Sequence, residues 1–237
     1  MHRYHTVWYI ENLISEGGID MKYLAFNGSP RKGWNTETVL KYSMKGAASQ
    51  GFSTELIHLY DYDYKGCRSC FACKLKDGKS YGRCAIKDNL TAILNKIETA
   101  DAIVIGSPIY FGDVTGTVRA FMERLLFPYL VYDNMYSTLF PKKLPVGLIY
   151  TMNVTQEKLK AVGYKPHLTR MEQLFERILG PSKSLYVTDT YQFTSYSNYV
   201  VTSFNEKEKA KRKKEEFPKD CQKAFDLGVS LAVQAYT

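Results

Sequence analysis

Residues 21–237 predict a doubly wound α/β domain with five parallel strands in the order 2-1-3-4-5. Three observations carry the prediction. Short apolar runs alternate with helix-spaced segments from Met21 onward, which implies right-handed βαβ units. The third run, Ala102-Ile103-Val104-Ile105, has no polar face, as expected of a strand covered on both sides. Turns rich in Gly, Ser and Pro follow the first and third runs, where this strand order places its ligand crevice.

Residues 23–26 form the first strand, stopped by Gly28-Ser29-Pro30. Residues 35–50 carry Leu40, Met44, Ala47 and Ala48 at helical spacing, with Gly51 as the stop. Residues 56–60 read as the second strand, 91–99 as a short helix and 102–105 as the third strand. Val114, Val118, Phe121, Met122 and Leu125 share one helix face. Residues 144–150 and 184–187 supply the fourth and fifth strands, and 173–179 and 221–233 two further helices.

Length and composition fit one generous domain. The chain has 237 residues, 45% hydrophobic and 24% charged, which excludes disordered and collagen-like classes. No apolar stretch approaches the roughly 18 residues a membrane helix needs. Residues 1–20 lack the design of a signal peptide, because the apolar run Val7 to Ile10 is short and Glu11 and Glu16 break the pattern after it. Two readings of that segment stay open. It is an upstream translation before a start at Met21, or a genuine N-terminal arm at an oligomer contact.

The turn after the first strand, Ser29-Pro30-Arg31-Lys32-Gly33-Trp34-Asn35-Thr36, joins two cations, hydroxyl and amide donors and a helix N-terminus. Free backbone N–H groups and the positive helix end suit a phosphate. It matches neither GxxxxGK[ST] nor GxGxxG, so triphosphate and dinucleotide sites lose ground. The alternative is an ordinary βα turn capped by Asn35. A second loop, Gly106-Ser107-Pro108-Ile109-Tyr110-Phe111-Gly112-Asp113, offers a flat wall at the same sheet edge. Its alternative is that Tyr110 and Phe111 are simply packed. A third loop, Thr151-Met152-Asn153, closes the set. Together they fit a mononucleotide with a flat ring.

These segments, with Asn27-Gly28, Arg119-Ala120-Phe121 and Glu123-Arg124-Leu125, resemble the NADPH-dependent FMN reductase family, and more narrowly its iron–sulfur flavoprotein branch. The likeness runs from Met21 to the C-terminus and includes Phe217-Pro218-Lys219-Asp220. It implies a flavodoxin-like fold with tightly bound FMN. By that likeness Ser29, Arg31, Asn35 and Thr36 hold the phosphate. Pro108, Ile109, Tyr110, Phe111 and Gly112 line the isoalloxazine, with Thr151 and Met152 nearby.

Four of the five cysteines fall between Cys67 and Cys84. Cys67, Cys70 and Cys73 form C-x₂-C-x₂-C, a spacing that lets thiolates converge on one cluster, and Cys84 completes four. The iron–sulfur flavoproteins close a similar row with a shorter last gap, so residues 74–83 are a departure. A [4Fe–4S] cluster, a zinc ion and idle thiols beside the flavin all remain open. Cys221 is expected in the core.

A formal charge of +8 raises the question of an anionic partner. Residues 206–216 (EKEKAKRKKEE) hold six basic and four acidic residues with no aromatic among them, so a solvated helix face is expected rather than a nucleic-acid surface. His58 and His167 read as structural. Tyr186, Tyr191, Phe193, Tyr196, Tyr199 and Phe204 form a late aromatic segment, either core or a lid over the ligand.

The resemblance thus implies a cytoplasmic, homodimeric or homotetrameric oxidoreductase. It passes electrons from NAD(P)H through FMN to a quinone, flavin, nitro compound or similar acceptor. The flavin carries the chemistry, so no catalytic acid or base is named. Two alternatives stand beside it: an iron–sulfur electron carrier served by a ferredoxin-like donor, and a flavin-binding regulator without turnover. Neither nucleic acid nor membrane is expected as a partner.

Overall fold

The computed structural model describes residues 20–236. The leader or arm expected over residues 1–20 therefore lies outside the described residues, Asp20 apart. The first half of the chain runs β1 (Lys22–Asn27), α1 (Asn35–Ala48), β2 (Ser53–His58), α2 (Leu90–Thr99), β3 (Ala102–Tyr110), β4 (Asp113–Val114) and α3 (Gly116–Leu126). The second half adds β5 (Val146–Thr151), α4 (Gln156–Ala161), α5 (Tyr164–Ile178), β6 (Ser182–Val187), α6 (Glu206–Glu215) and α7 (Phe217–Ala235).

The long strands are all parallel, in the order β2-β1-β3-β5-β6, with β4 pairing antiparallel to the end of β3. With the two-residue β4 set aside, this is the flavodoxin-like order. β5 is buried at every position and β3 over its first six, which is why both read as runs without polar alternation. Helices cover both faces. Ile93 and Ile97 of α2, Phe121 and Leu125 of α3 and Phe175 of α5 fill one side. Val39 and Leu40 of α1 with Leu227 and Leu231 of α7 fill the other. On that side two helices meet backbone to backbone. A Cβ on Gly46 would lie 2.0 Å from the Phe225 carbonyl oxygen, and one on Gly228 would lie 1.9 Å from that of Ser43.

Several elements differ from the sequence expectation: Val114 pairs in β4 rather than opening α3, and α7 begins at Phe217 rather than near Cys221. Four further differences have a clear physical reason. β3 continues through the supposed second loop, because Ser107 and Pro108 are in register with Tyr150 and Thr151 of β5. Pro at such a position lacks a ladder donor, but near the strand end that loss is small. β2 starts at Ser53, whose N–H bonds the Met21 carbonyl at 2.8 Å, and gives way to a short 3₁₀ turn at Leu59–Asp61. α5 begins at Tyr164 rather than near Gln173. Pro166 sits in its first turn, where backbone N–H groups have no partner inside the helix anyway. α4 was not expected; the Thr155 side chain caps it by accepting from the Lys158 N–H.

Candidate functional site

The carboxyl ends of β1, β3, β5 and β6 converge on one cleft. After β1 the chain turns tightly. The Asn27 Oδ1 accepts from the Ser29 N–H at 3.0 Å, and the Ser29 Oγ accepts from the Arg31 N–H at 3.2 Å. Gly33 comes next at φ +74 and donates its N–H to Glu37 at 2.6 Å. Burial of Glu37 works against its charge, yet Lys41 and the Gly33 N–H outweigh it and hold the carboxyl below its usual range. The N-cap of α1 is Trp34, and no side chain caps the helix. The Asn35 cap considered from sequence is not made; the Asn35 amide instead donates to the Tyr191 carbonyl at 2.8 Å. Among the described residues, then, no N-cap side chain accepts from the opening N–H groups of α1.

The other walls are tied to this turn. The Gly28 N–H donates to the Gly106 carbonyl at 2.8 Å, and the Thr115 hydroxyl donates to the Gly28 carbonyl at 2.9 Å. Thr36 and Thr151 share a buried hydroxyl–hydroxyl bond of 2.7 Å. The cleft encloses about 130 Å³ and draws on Ser29, Arg31, Asn35 and Thr36 from the first turn. Pro108, Ile109 and Tyr110 come from β3, and Thr151 and Met152 from the end of β5. Nine of the eleven residues singled out in the sequence therefore meet here, with Phe111 and Gly112 set apart. Those two form a two-residue hairpin between β3 and β4, at φ +53 and +86. Such a turn needs positive φ at both positions, which glycine supplies freely and phenylalanine does not. The Phe111 ring is fully exposed, so the alternative of simple packing fails for it.

Four further residues line the cleft: Trp34, Asn153, Thr190 and Gln192. Trp34 lies under the Arg31 guanidinium, 3.3 Å from its ring centroid. Thr190 and Gln192 come after β6, the last strand at the same edge. The rule that selected the loops after the first, third and fourth strands would have selected this one too. The Gln192 carbonyl accepts from Arg31 at 2.7 Å, and Thr190 bonds the Met152 carbonyl through its N–H at 3.0 Å. Tyr196 of the late aromatic segment is buried, against Tyr191 and Phe193, while Tyr199 stacks on Phe193 at 4.1 Å.

Residues 206–215 do form a helix, but its Lys209 is buried rather than solvated. The Lys209 ammonium bonds Asn153, through both its carbonyl and side-chain oxygens, and Asp189. Burial pulls its pKa down, and Asp189 opposes this. His167 pairs with Asp113 at 3.3 Å, and His58 Nδ1 lies 3.0 Å from the Asn27 amide.

The cysteine loop is anchored by α3. The Glu123 carboxylate accepts the Cys67 N–H at 3.1 Å. Arg124 is the largest fully buried side chain among the described residues. It donates to the Cys84 Sγ at 2.9 Å and to the Lys65 carbonyl at 3.1 Å. It also grips both Asp88 carboxylate oxygens, at 2.8 and 3.0 Å. Lys74 is held by the carbonyls of Phe127, Pro128 and Leu130. Cys73 is buried, and burial raises its thiol pKa, with Cys67 and Cys84 adding to the effect. Cys70 faces solvent, where the Ala72 N–H and then Arg68 lower its pKa. Among the described residues no three Cys, His, Asp or Glu side chains are grouped to hold a metal ion. All five cysteines are unpaired. Among the described residues no helix is long and apolar enough to cross a membrane.

A parallel sheet in this order, with its crevice walled by the β1 and β3 ends, defines a mononucleotide-binding α/β protein. The sequence pattern of the NADPH-dependent FMN reductase family matches residues 21–163, and the chain belongs to that family, whose cofactor is FMN. It is similar to an iron–sulfur flavoprotein of Archaeoglobus fulgidus, 46% identical over 104 residues, which cover 44% of this chain and 48% of that one. A second relative, an iron–sulfur flavoprotein of Methanocaldococcus jannaschii, is 36% identical over 44% of this chain and 51% of its own. The chain thus spans about half the length of the curated relatives it matches. Among solved structures it resembles an NAD(P)H:quinone oxidoreductase from Methanothermobacter marburgensis, with a TM-score of 0.66 at 13% identity. That match covers 90% of this chain and all of the other. An FMN-dependent NADH-azoreductase from Bacillus anthracis, solved with FMN, has a TM-score of 0.60 at 12% identity, covering 89% and 99%. These likenesses establish the flavodoxin-like fold.

Proposed function

We propose that residues 21–237 form a cytoplasmic FMN-dependent oxidoreductase that takes electrons from NAD(P)H and delivers them to a small acceptor such as a quinone, flavin or nitro compound. The observation that carries the reading is the convergence of nine expected residues on one cleft at the carboxyl edge of the sheet. Bound FMN supplies the redox chemistry, accepting electrons from a nicotinamide and releasing them to the acceptor. The chain supplies grip, orientation and access. Ser29, Arg31, Asn35 and Thr36, with the uncapped N-terminus of α1, would hold the phosphate through charge and N–H donors. Pro108, Ile109 and Tyr110 would line the ring system, with Thr151 and Met152 nearby. Gly112 lets the hairpin turn, and Phe111 stands at its tip as a contact for an incoming acceptor.

Exposed Phe71 and Tyr132, both packed edge-on against Phe127, support a subunit contact and hence a homodimer or homotetramer. The five unpaired cysteines suit a reducing compartment. The test is an absorption spectrum of purified protein, then NADH and NADPH oxidation with menadione as acceptor. Flavin bands with turnover support the reading. Absence of flavin and failure to bind added FMN would sink it.

A second reading, an iron–sulfur electron carrier served by a ferredoxin-like protein, is favoured by the four thiols Cys67, Cys70, Cys73 and Cys84 on one anchored loop. The donor chemistry suits a [4Fe–4S] cluster. The arrangement does not, since Cys70 faces solvent and the described side chains form no metal-holding group. Iron and sulfide analysis of anaerobically prepared protein decides: stoichiometric iron supports this reading, and its absence removes it.

A further inference from the structure

The phosphate side of the cleft is closed by a part of the chain that lies beyond the family match, which ends at residue 163. The Tyr191 and Gln192 carbonyls accept from Asn35 and Arg31, two of the residues assigned to the phosphate. Behind them the strands' exits are zipped together. The Asp189 N–H bonds the Val154 carbonyl at 2.8 Å, and the Thr190 N–H bonds that of Met152 at 3.0 Å. Lys209 reaches into this junction from α6, with its ammonium on Asn153 from one exit and Asp189 from the other. Asp189 sits at φ +56, a conformation that its ion pair helps to hold. Farther along α6, Lys213 lies over the Tyr191 ring at 4.8 Å, and Glu206 accepts the Tyr191 hydroxyl at 3.2 Å.

We propose that Lys209 is a positioning residue for flavin selection: by pinning Asn153 to Asp189 it latches the 190–192 strap over the Arg31–Asn35 turn, and so makes the site favour a phosphorylated flavin over an unphosphorylated one. The inference rests on the FMN reading and deepens it. Lys209 would not contact the flavin. It acts through the strap, whose two carbonyls orient the donors that a flavin phosphate meets. A charged group bonded to three oxygens and shielded from water is suited to that task, because removing it leaves Asp189 and Asn153 without their shared donor.

The test compares FMN with riboflavin, which lacks the phosphate. Full-length protein stripped of flavin is titrated with each, and binding is read from quenching of flavin fluorescence. In Lys209→Met the ratio of riboflavin to FMN dissociation constants is expected to fall about tenfold, by analogy with the lower end of what outer-shell partners of metal ligands contribute. Riboflavin affinity itself stays close to wild type. Where Lys209→Met fails to fold, Tyr191→Ala, which frees the strap from α6, is expected to lower the same ratio. An unchanged ratio in a folded variant overturns the proposal. So does an equal loss for both flavins, which is what general loosening produces. A wild-type protein that binds neither flavin overturns the FMN reading itself, whereas FMN binding with an unaltered ratio in the variants overturns only the latch.

Discussion

Arg124→Met tests whether α3 holds the cysteine loop closed. The guanidinium is 1% exposed and serves both ends of the loop, Lys65 before the first cysteine and Cys84 with Ile86 and Asp88 after the last. Breaking a buried ion pair by removing one partner costs about 3–5 kcal/mol. Asp88 keeps 22% of its side-chain surface and is rehydrated once released, which places the expected loss near the lower figure, about 3 kcal/mol. For a domain of this size each kcal/mol moves the midpoint by roughly 2–4 °C, so the thermal midpoint is expected to drop by roughly 6–12 °C. The Arg124 hydrogen bond depresses the Asp88 carboxyl pKa, with burial opposing it. A depressed folded pKa gives stability that is full above the unfolded carboxylate value of about 3.9 and disappears as pH falls through the folded value. The gap between wild type and variant is therefore widest at neutral pH and narrows below about pH 4. Circular dichroism melts across pH give the midpoints, and a thiol reagent with mass-spectrometric readout measures labelling at Cys84, expected to quicken in the variant. A midpoint within about 2 °C of wild type at pH 7, with Cys84 labelling unchanged, would refute the clamp.

Three further outcomes are expected. Gly228→Val forces α1 and α7 apart, since even a Cβ would sit 1.9 Å from the Ser43 carbonyl oxygen; overpacking of this kind costs about 3 kcal/mol, and an unmoved urea midpoint would rule out the close contact. Thr115→Ala removes both the α3 cap and the bond to the Gly28 carbonyl. The expected loss is about 1–2 kcal/mol together with weaker FMN binding, both restored by Thr115→Ser; failure of serine to rescue would point elsewhere. Phe111→Asn relieves a left-handed phenylalanine whose ring is fully exposed among the described residues. It is expected to raise stability by about 0.5–1 kcal/mol in denaturant titrations while acceptor turnover falls, and a less stable variant would remove the strain argument.

The sheet was legible because its buried strands leave no choice of face. The run Ala102 to Ile105 and the all-buried β5 read as strands covered on both sides, and the order of apolar runs dictated the crossovers. Pro108 hid the continuation of β3, because proline ordinarily argues against a strand and only pairing with Thr151 reveals it. The first turn was legible from donors and a helix start. What it bonds was not, since Asn35 meets Tyr191 across 156 residues and no local pattern encodes that contact. Lys209 was misread for a related reason. In a run of six basic residues nothing local marks the one whose partners, Asn153 and Asp189, lie 56 and 20 residues away.

That failure says something about how the site is divided along the chain. All eleven residues expected to meet FMN lie within 21–163, the stretch the family shares. Nine of those residues line one cleft at the sheet edge, and their local patterns are what a single sequence displays. Thr190 and Gln192, which line the same cleft, and Lys209, which bonds Asp189 beside them, lie outside that stretch. Their sequence is free of the turn geometry that a phosphate imposes, so they carry no recognisable motif and act only through the fold. If the first turn grips the flavin and the strap completes that grip, the two regions answer differently to substitution. Changes in the first turn alter whether a flavin binds. Changes between 189 and 213 alter which flavin is kept and how long it stays, and a measured FMN dissociation rate that ignores the second region while tracking the first would break the division.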